Sequence, residues 1–99
     1  MIRDYEEGAK VVVTDETIKI MEASSKSVAT MFPSQSYINV AKRMKGIKGT
    51  VSMRFKPGYE FNVEWPEPYI RDDGTIQDVT ILQMKDNWVE PLDKKWKKI

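Results

Sequence analysis

The sequence predicts a mainly β, α+β domain in which a helical segment is inserted between the first two strands. A β-branched run over residues 8–14 is typical of a short strand. Strict alternation of apolar and polar residues on both sides of Pro57-Gly58 predicts a β-hairpin. Between these patterns, apolar residues recur at helical spacing over 36–45.

The inserted segment, about residues 15–45, contains two helical patterns. Thr14 is a suitable N-cap and is followed by two acidic residues, which predicts a first helix near 15–23. Ser36 can cap the second helix, and Gly46 occupies the position of a left-handed C-cap. The apolar face of this second helix consists of Tyr37, Val40, Ala41 and Met44.

The hairpin sequence also predicts a register. Both apolar sets lie on one face if the loop has an odd length, and the simplest choice is the loop 56–58. This register places Arg54 opposite Glu60 and Thr50 opposite Glu64. A longer or bulged loop stays open, because a residue that precedes proline disfavours the helical region. The apolar sets are Val51, Met53 and Phe55, and Tyr59, Phe61, Val63 and Trp65.

The second half of the chain predicts further strands separated by turns. Two prolines make 65–69 an extended loop, and Asp72-Asp73-Gly74 is typical of a turn. Residues 76–84 are expected to form a third core strand, and 88–92 a short closing strand. The polar residues 93–99 are expected to form a frayed basic tail.

Composition excludes much enzyme chemistry. The 99 residues suit one domain, which we place at 1–92, and they include no histidine and no cysteine. Ser-His-Asp and Cys-His nucleophiles are therefore excluded, and the usual ligands of zinc, iron–sulfur clusters and haem are missing. Carboxylate pairs such as Asp72-Asp73 and Glu64/Glu67 remain, but they do not match the spacing of a calcium loop. We predict a protein that is not an enzyme and uses no cofactor, metal or small-molecule substrate.

The same composition favours a cytoplasmic protein. No segment approaches the ~20 apolar residues of a membrane span, and acidic residues stand where a signal peptide needs basic ones. The absence of cysteine fits a reducing compartment. We therefore expect no contact with a membrane.

Charge is segregated along the chain although the net charge is only +1. Residues 42–56 contain six basic and no acidic side chains, whereas 57–81 contain six acidic side chains against Arg71. The C-terminal residues are again basic. This layout indicates either pairing between strands or separate basic and acidic faces.

Three short motifs carry a family resemblance. They are Gly46-Ile47-Lys48-Gly49-Thr50-Val51, Val63-Glu64-Trp65 and Val89-Glu90-Pro91-Leu92. Their layout resembles that of SH3-like barrels of the KOW and Tudor-like kind. The resemblance implies about five strands, with the Glu-Pro-Leu strand closing the barrel beside the first strand, and a ligand that is either nucleic acid or protein. The small size and the helical insert are also similar to those of phage-encoded accessory proteins.

These observations favour a non-catalytic binding module with nucleic acid as its first candidate partner. The predicted contacts combine basic residues with an aromatic side chain that can stack on bases. They are Lys42, Arg43, Lys45, Lys48, Lys94, Lys95, Trp96 and Lys97. The alternative is a protein-interaction module, or a regulator of a partner enzyme, that uses exposed aromatic anchors beside an acidic rim. Its anchors would be Trp65, Tyr69 and Trp88.

Overall fold

The computed structural model describes residues 2–27, 31–56 and 60–99, with the backbone alone at Lys56 and Tyr69. Strands predominate in these residues, which confirms the mainly β, α+β prediction. The helices are α1 (Asp15–Ser25), α2 (Gln35–Arg43) and a 3₁₀ helix (Asp86–Trp88). The strands are β1 (Arg3–Tyr5), β2 (Lys10–Val12), β3 (Gly49–Lys56), β4 (Glu60–Trp65), β5 (Tyr69–Ile70), β6 (Ile76–Gln77), β7 (Thr80–Met84), β8 (Glu90–Pro91) and β9 (Trp96–Lys98).

Side-chain caps determine where the two α-helices begin. Thr14 caps α1: its hydroxyl accepts a hydrogen bond from the Thr17 amide, and the Thr17 hydroxyl accepts one from the Thr14 amide. The cap of α2 is Ser34, whose hydroxyl accepts from the Tyr37 amide. The predicted cap at Ser36 is wrong, because the backbone is extended at Ser34 and already helical two residues later.

Five strands form an antiparallel sheet in the order β7-β4-β3-β2-β8. The first four in the chain follow one another as a meander, and β8 then returns to the free side of β2. Val11 lies opposite Pro91, and Val12 lies opposite Glu90. The sequence predicted that the Glu-Pro strand pairs with the strand at 8–14, and the pairing of β8 with β2 confirms it. The described strands form open sheets, so the closed barrel stays a prediction.

The C-terminal residues form a strand, so the prediction of a frayed tail over 93–99 is wrong. β9 pairs with β1, with Asp4 opposite Lys97, and the Ile99 amide donates to the Ile2 carbonyl at 2.9 Å. Trp96 is half-buried and packs against the core. This apolar contact and the β1 ladder order a segment whose composition is otherwise polar.

The strand predicted at 76–84 is divided by a bend into β6 and β7. β6 pairs with β5 around the predicted turn, in which Gly74 adopts a φ of +87°. The closing segment contains the 3₁₀ helix followed by β8. The acidic N-terminal segment contributes β1, which sequence patterning did not predict.

The β3–β4 hairpin has the bulged form that the sequence left open. Thr50 lies opposite Glu64 as predicted, but two bulges in β3 each shift the register by one residue. Arg54 consequently lies opposite Phe61 and not opposite Glu60. Residues 57–58 of the predicted loop lie outside the described residues.

The bulges redirect the apolar residues of β3. Val51 is buried, whereas Met53 and Phe55 are about half exposed, at 51% and 52%. A shift of one residue turns every following side chain to the other face of a strand. The prediction that all three share the core face is therefore wrong for Met53 and Phe55.

One hydrophobic cluster joins the sheet to the helices. It contains both Trp65 and Trp88 at full burial, together with Tyr5, whose hydroxyl pKa burial raises to about 12. The helices contribute Ile18, Met21, Ile38 and Ala41, and Met44 directly follows α2.

Gly49 lies where the sheet allows no side chain. A Cβ at this position would be 2.6 Å from Val63 Cγ1 and 2.8 Å from Trp65 Nε1. The indole of Trp65 is also fixed by its Nε1, which donates to the Ile47 carbonyl at 3.2 Å. The tryptophan therefore packs directly on the backbone of the Gly-Thr-Val corner.

We expect Gly49→Ala to reduce the free energy of unfolding by about 1–3 kcal/mol, because the added methyl overpacks this contact. Urea unfolding of the variant and of wild type measures the difference. Val63→Ala removes one of the clashing atoms, so the double variant should lose less than the sum of the two single changes. Additive losses would contradict the proposed clash.

Candidate nucleic-acid interface

Four of the predicted nucleic-acid-binding residues lie where α2 leads into β3, and two of them are neutralised. Arg43 donates from Nε and Nη2 to Glu67 Oε1 at 3.2 and 3.1 Å. Lys45 Nζ lies 2.8 Å from Asp15 Oδ1, and this hydrogen bond and the lysine charge hold the pKa of Asp15 below its usual value. The two that form no ion pair within the described residues are Lys42 and Lys48.

The other four predicted residues lie in β9 or directly before it, and we call this segment the C-terminal basic strand. They are Lys94, Lys95, Trp96 and Lys97. The three lysines are exposed, as is the adjacent Lys98, and in the described part of the chain none of them forms an ion pair. Trp96 is held in place, because its Nε1 donates to the Asp93 carbonyl at 3.1 Å and Arg3 Cζ lies 5.2 Å from its ring centroid.

A recess of about 300 Å³ lies beside this strand. Its walls include Trp96, Lys97 and Arg54, with the carboxylates of Asp4 and Glu6 on the β1 side. Arg54 Nη1 donates to Asp4 Oδ1 at 2.9 Å and to the Tyr5 carbonyl at 3.3 Å. Asp4 is 6% exposed, so the guanidinium compensates a buried carboxylate and is fixed in position.

The two predicted basic groups are not brought together. The Gly46 amide donates to the Val13 carbonyl, which places the α2–β3 corner just beyond one end of β2. At the other end, the Leu92 amide donates to the Lys10 carbonyl, just before the C-terminal lysines. The three residue steps from Lys10 to Val13 span about 10 Å, roughly the screening length at physiological salt. The groups therefore act as separate patches.

Two of the three aromatic anchors of the alternative protein-binding site are buried. Trp65 and Trp88 are 0% and 2% exposed, so assigning them to a protein-binding surface is wrong. Trp65 covers Gly49, and Trp88 packs against Phe32 and Tyr37. The side chain of Tyr69 lies outside the described residues.

Other exposed apolar residues were missed by sequence reasoning. Ile70 and Ile76 are cross-strand partners in the β5–β6 hairpin and are 68% and 63% exposed. Their strands are too short to produce a recognisable alternation. Arg54 was also missed as a recess residue, because only the pairing of β1 with β9 brings Trp96 and Lys97 near it.

No helix in the described ranges is long and apolar enough to cross a membrane. No protein-family model matches the chain, and no match was found among curated proteins or solved structures.

Replacing Arg54 and Arg43 by neutral residues should reduce the free energy of unfolding by different amounts, because their ion pairs differ in burial. Arg54→Met should reduce the free energy of unfolding by about 1–3 kcal/mol, because it leaves the buried Asp4 carboxylate without its cation. Arg43→Met is the matched control, since it removes an exposed ion pair that contributes at most about 1 kcal/mol. Thermal or urea unfolding of both variants measures the difference. Equal losses would contradict the assigned role of Arg54.

Proposed function

We propose that the chain is a non-catalytic binding module that contacts the phosphate backbone of a nucleic acid through its C-terminal basic strand. The observation that carries this proposal is that Lys94, Lys95 and Lys97 lie beside a fixed indole and form no ion pair within the described residues. At the α2–β3 corner, by contrast, two of the four predicted cations, Arg43 and Lys45, already bind carboxylates. Only unpaired cations gain the full free energy of counterion release when they contact phosphates.

The distribution of acids indicates how a phosphate backbone would run. Glu6 and Glu7 are exposed on the segment that follows β1, so phosphates should avoid that side. Lys94 and Lys97 are exposed on the C-terminal basic strand. Lys97 lines the recess together with Asp4 and Glu6, so phosphates are favoured at the lysines and not at the β1 wall of the recess. Trp96 contributes a wall of the recess, and an aromatic wall beside lysines is typical of single-strand recognition.

The order of strand pairing supports an SH3-like barrel as the finer description of the fold. A four-strand meander with a fifth strand returning beside the first agrees with the layout that the three sequence motifs resemble. That resemblance leaves nucleic acid and protein open as ligands. We favour nucleic acid over protein because of the exposed lysines of the C-terminal basic strand.

The test compares two variants with the same change in net charge: K94Q/K97Q, which alters the proposed interface, and K42Q/K48Q, which alters the other patch. Fluorescence anisotropy with labelled single-stranded and duplex DNA over a range of salt concentrations measures affinity and its salt dependence. On duplex DNA, K94Q/K97Q should lower the slope of log K against log salt by about 1.8, or 0.9 per lost phosphate contact. K42Q/K48Q should bind like wild type.

Two outcomes would overturn the proposal. One is the absence of binding by the wild-type protein at low salt. The other is an equal loss in both variants, which would indicate a response to net charge and not to one strand. Circular dichroism of each variant checks that it is folded, which these exposed substitutions should not affect.

A protein-binding function is the second candidate, and the exposed pair Ile70 and Ile76 favours it. Paired apolar side chains beside the acidic turn suit a partner with an apolar pocket and a basic rim. The test is a pull-down from nuclease-treated cell lysate. A partner should be retained by wild type and by K94Q/K97Q but lost by I70S/I76S. Retention that is insensitive to the isoleucine changes would count against this surface.

A further inference from the structure

The edge strands of the described sheets differ in how they are protected. β8 is two residues long and contains Pro91, and β9 carries Lys97 and Lys98. Short length, proline and lysine are the devices by which proteins prevent an edge from pairing with another chain. β7, the other edge of the five-stranded sheet, is five residues long and contains neither a charge nor a proline.

The outer edge of β7 has unused backbone groups. All five residues pair with β4, from Thr80 opposite Trp65 to Met84 opposite Phe61. In an antiparallel strand, alternate N–H and C=O groups point away from the paired neighbour. Within the described residues, those groups of β7 form no hydrogen bond with another element.

An open groove of about 310 Å³ follows this edge. Val40 of α2 forms one side of it, and Val79, Ile81 and Leu82 are among the residues of the other side. Ile81 is 40% exposed, and Val79 and Leu82 are half-buried. The edge therefore combines free hydrogen-bonding groups with apolar side chains, which is the combination that strand addition uses.

We infer that β7 pairs with β7 of a second copy of this chain, antiparallel and about a twofold axis at Ile81. The charges flanking the strand favour this occupant: Asp78 precedes it and Lys85 follows it. With the axis at Ile81, Asp78 lies opposite Met84 of the second copy, one residue from Lys85, so the strand ends that approach each other carry opposite charges. The net charge of +1 adds little long-range repulsion between copies.

The two faces of the sheet determine the register. A twofold axis perpendicular to the sheet keeps each face on its own side, so it can pass through Ile81 or Leu82 but not between them. An axis at Leu82 would bring Asp78 toward Asp86, at the start of the 3₁₀ helix of the second copy, and the approach of two carboxylates is unfavourable. The axis at Ile81 avoids this repulsion and places Leu82 of the second copy opposite Thr80, at the groove that Val40 lines.

The absence of cysteine makes this geometry directly testable. With the axis at Ile81, the two Ile81 Cα atoms lie about 4.5–5.5 Å apart, which is within disulfide range. I81C should therefore form a covalent dimer under mild oxidation. Q83C is the matched control, because Gln83 is exposed on the same face but the two copies would lie about 13 Å apart along the strand. It should remain largely uncrosslinked.

Sedimentation of the unmodified protein provides the second measurement. Wild type should show a concentration-dependent dimer, and I81K should be monomeric because it places two lysines opposite each other. A wild-type protein that is monomeric at every concentration would overturn the inference. So would equal crosslinking of I81C and Q83C, which would indicate random collision. If circular dichroism shows that I81K is folded, its loss of the dimer is due to the changed edge of β7.

Discussion

The packing of Trp65 on Gly49 connects the parts of this fold that composition alone would leave separate. The indole fills the space that a side chain at residue 49 would occupy, and its Nε1 donates to the carbonyl of Ile47. One side chain of β4 thereby fixes the corner between α2 and β3. The start of the central strand and the residues that follow α2 therefore contact the same indole, which ties the end of the helical insert to the sheet.

The regular elements were predictable from the sequence, and their irregularities were not. Helical spacing and alternation located both helices and the β3–β4 hairpin, because these patterns reflect which residues meet the core. The bulges in β3 depend on contacts with other elements, so Met53 and Phe55 were placed on the wrong face. β1 has only three residues and no apolar alternation, and its pairing with β9 makes it a strand.

The candidate site, like the fold, combines features that are visible in the local sequence with features that depend on contacts between distant residues. The sequence identified basic segments correctly as features of composition, but charge cancellation depends on partners distant in the chain. Arg54 is paired with Asp4, and Lys45 is paired with Asp15. Cancellation was expected across the hairpin, where Arg54 would have met Glu60. It occurs instead with carboxylates of other segments, and in the described residues it leaves Lys42 and Lys48, as well as the C-terminal lysines, without an ion pair.

The pairing of β1 with β9 has a consequence for the order in which the molecule assembles. It joins residues that are separated by almost the whole chain, and closing a loop of that length costs about 4 kcal/mol of chain entropy. A three-residue ladder is too short to offset this cost unless the central sheet has already brought β1 and β9 close together. We therefore expect β9 to dock late in folding and to open first in the native state. A polyanion that binds the lysines of β9 would then shift this local equilibrium toward the closed form.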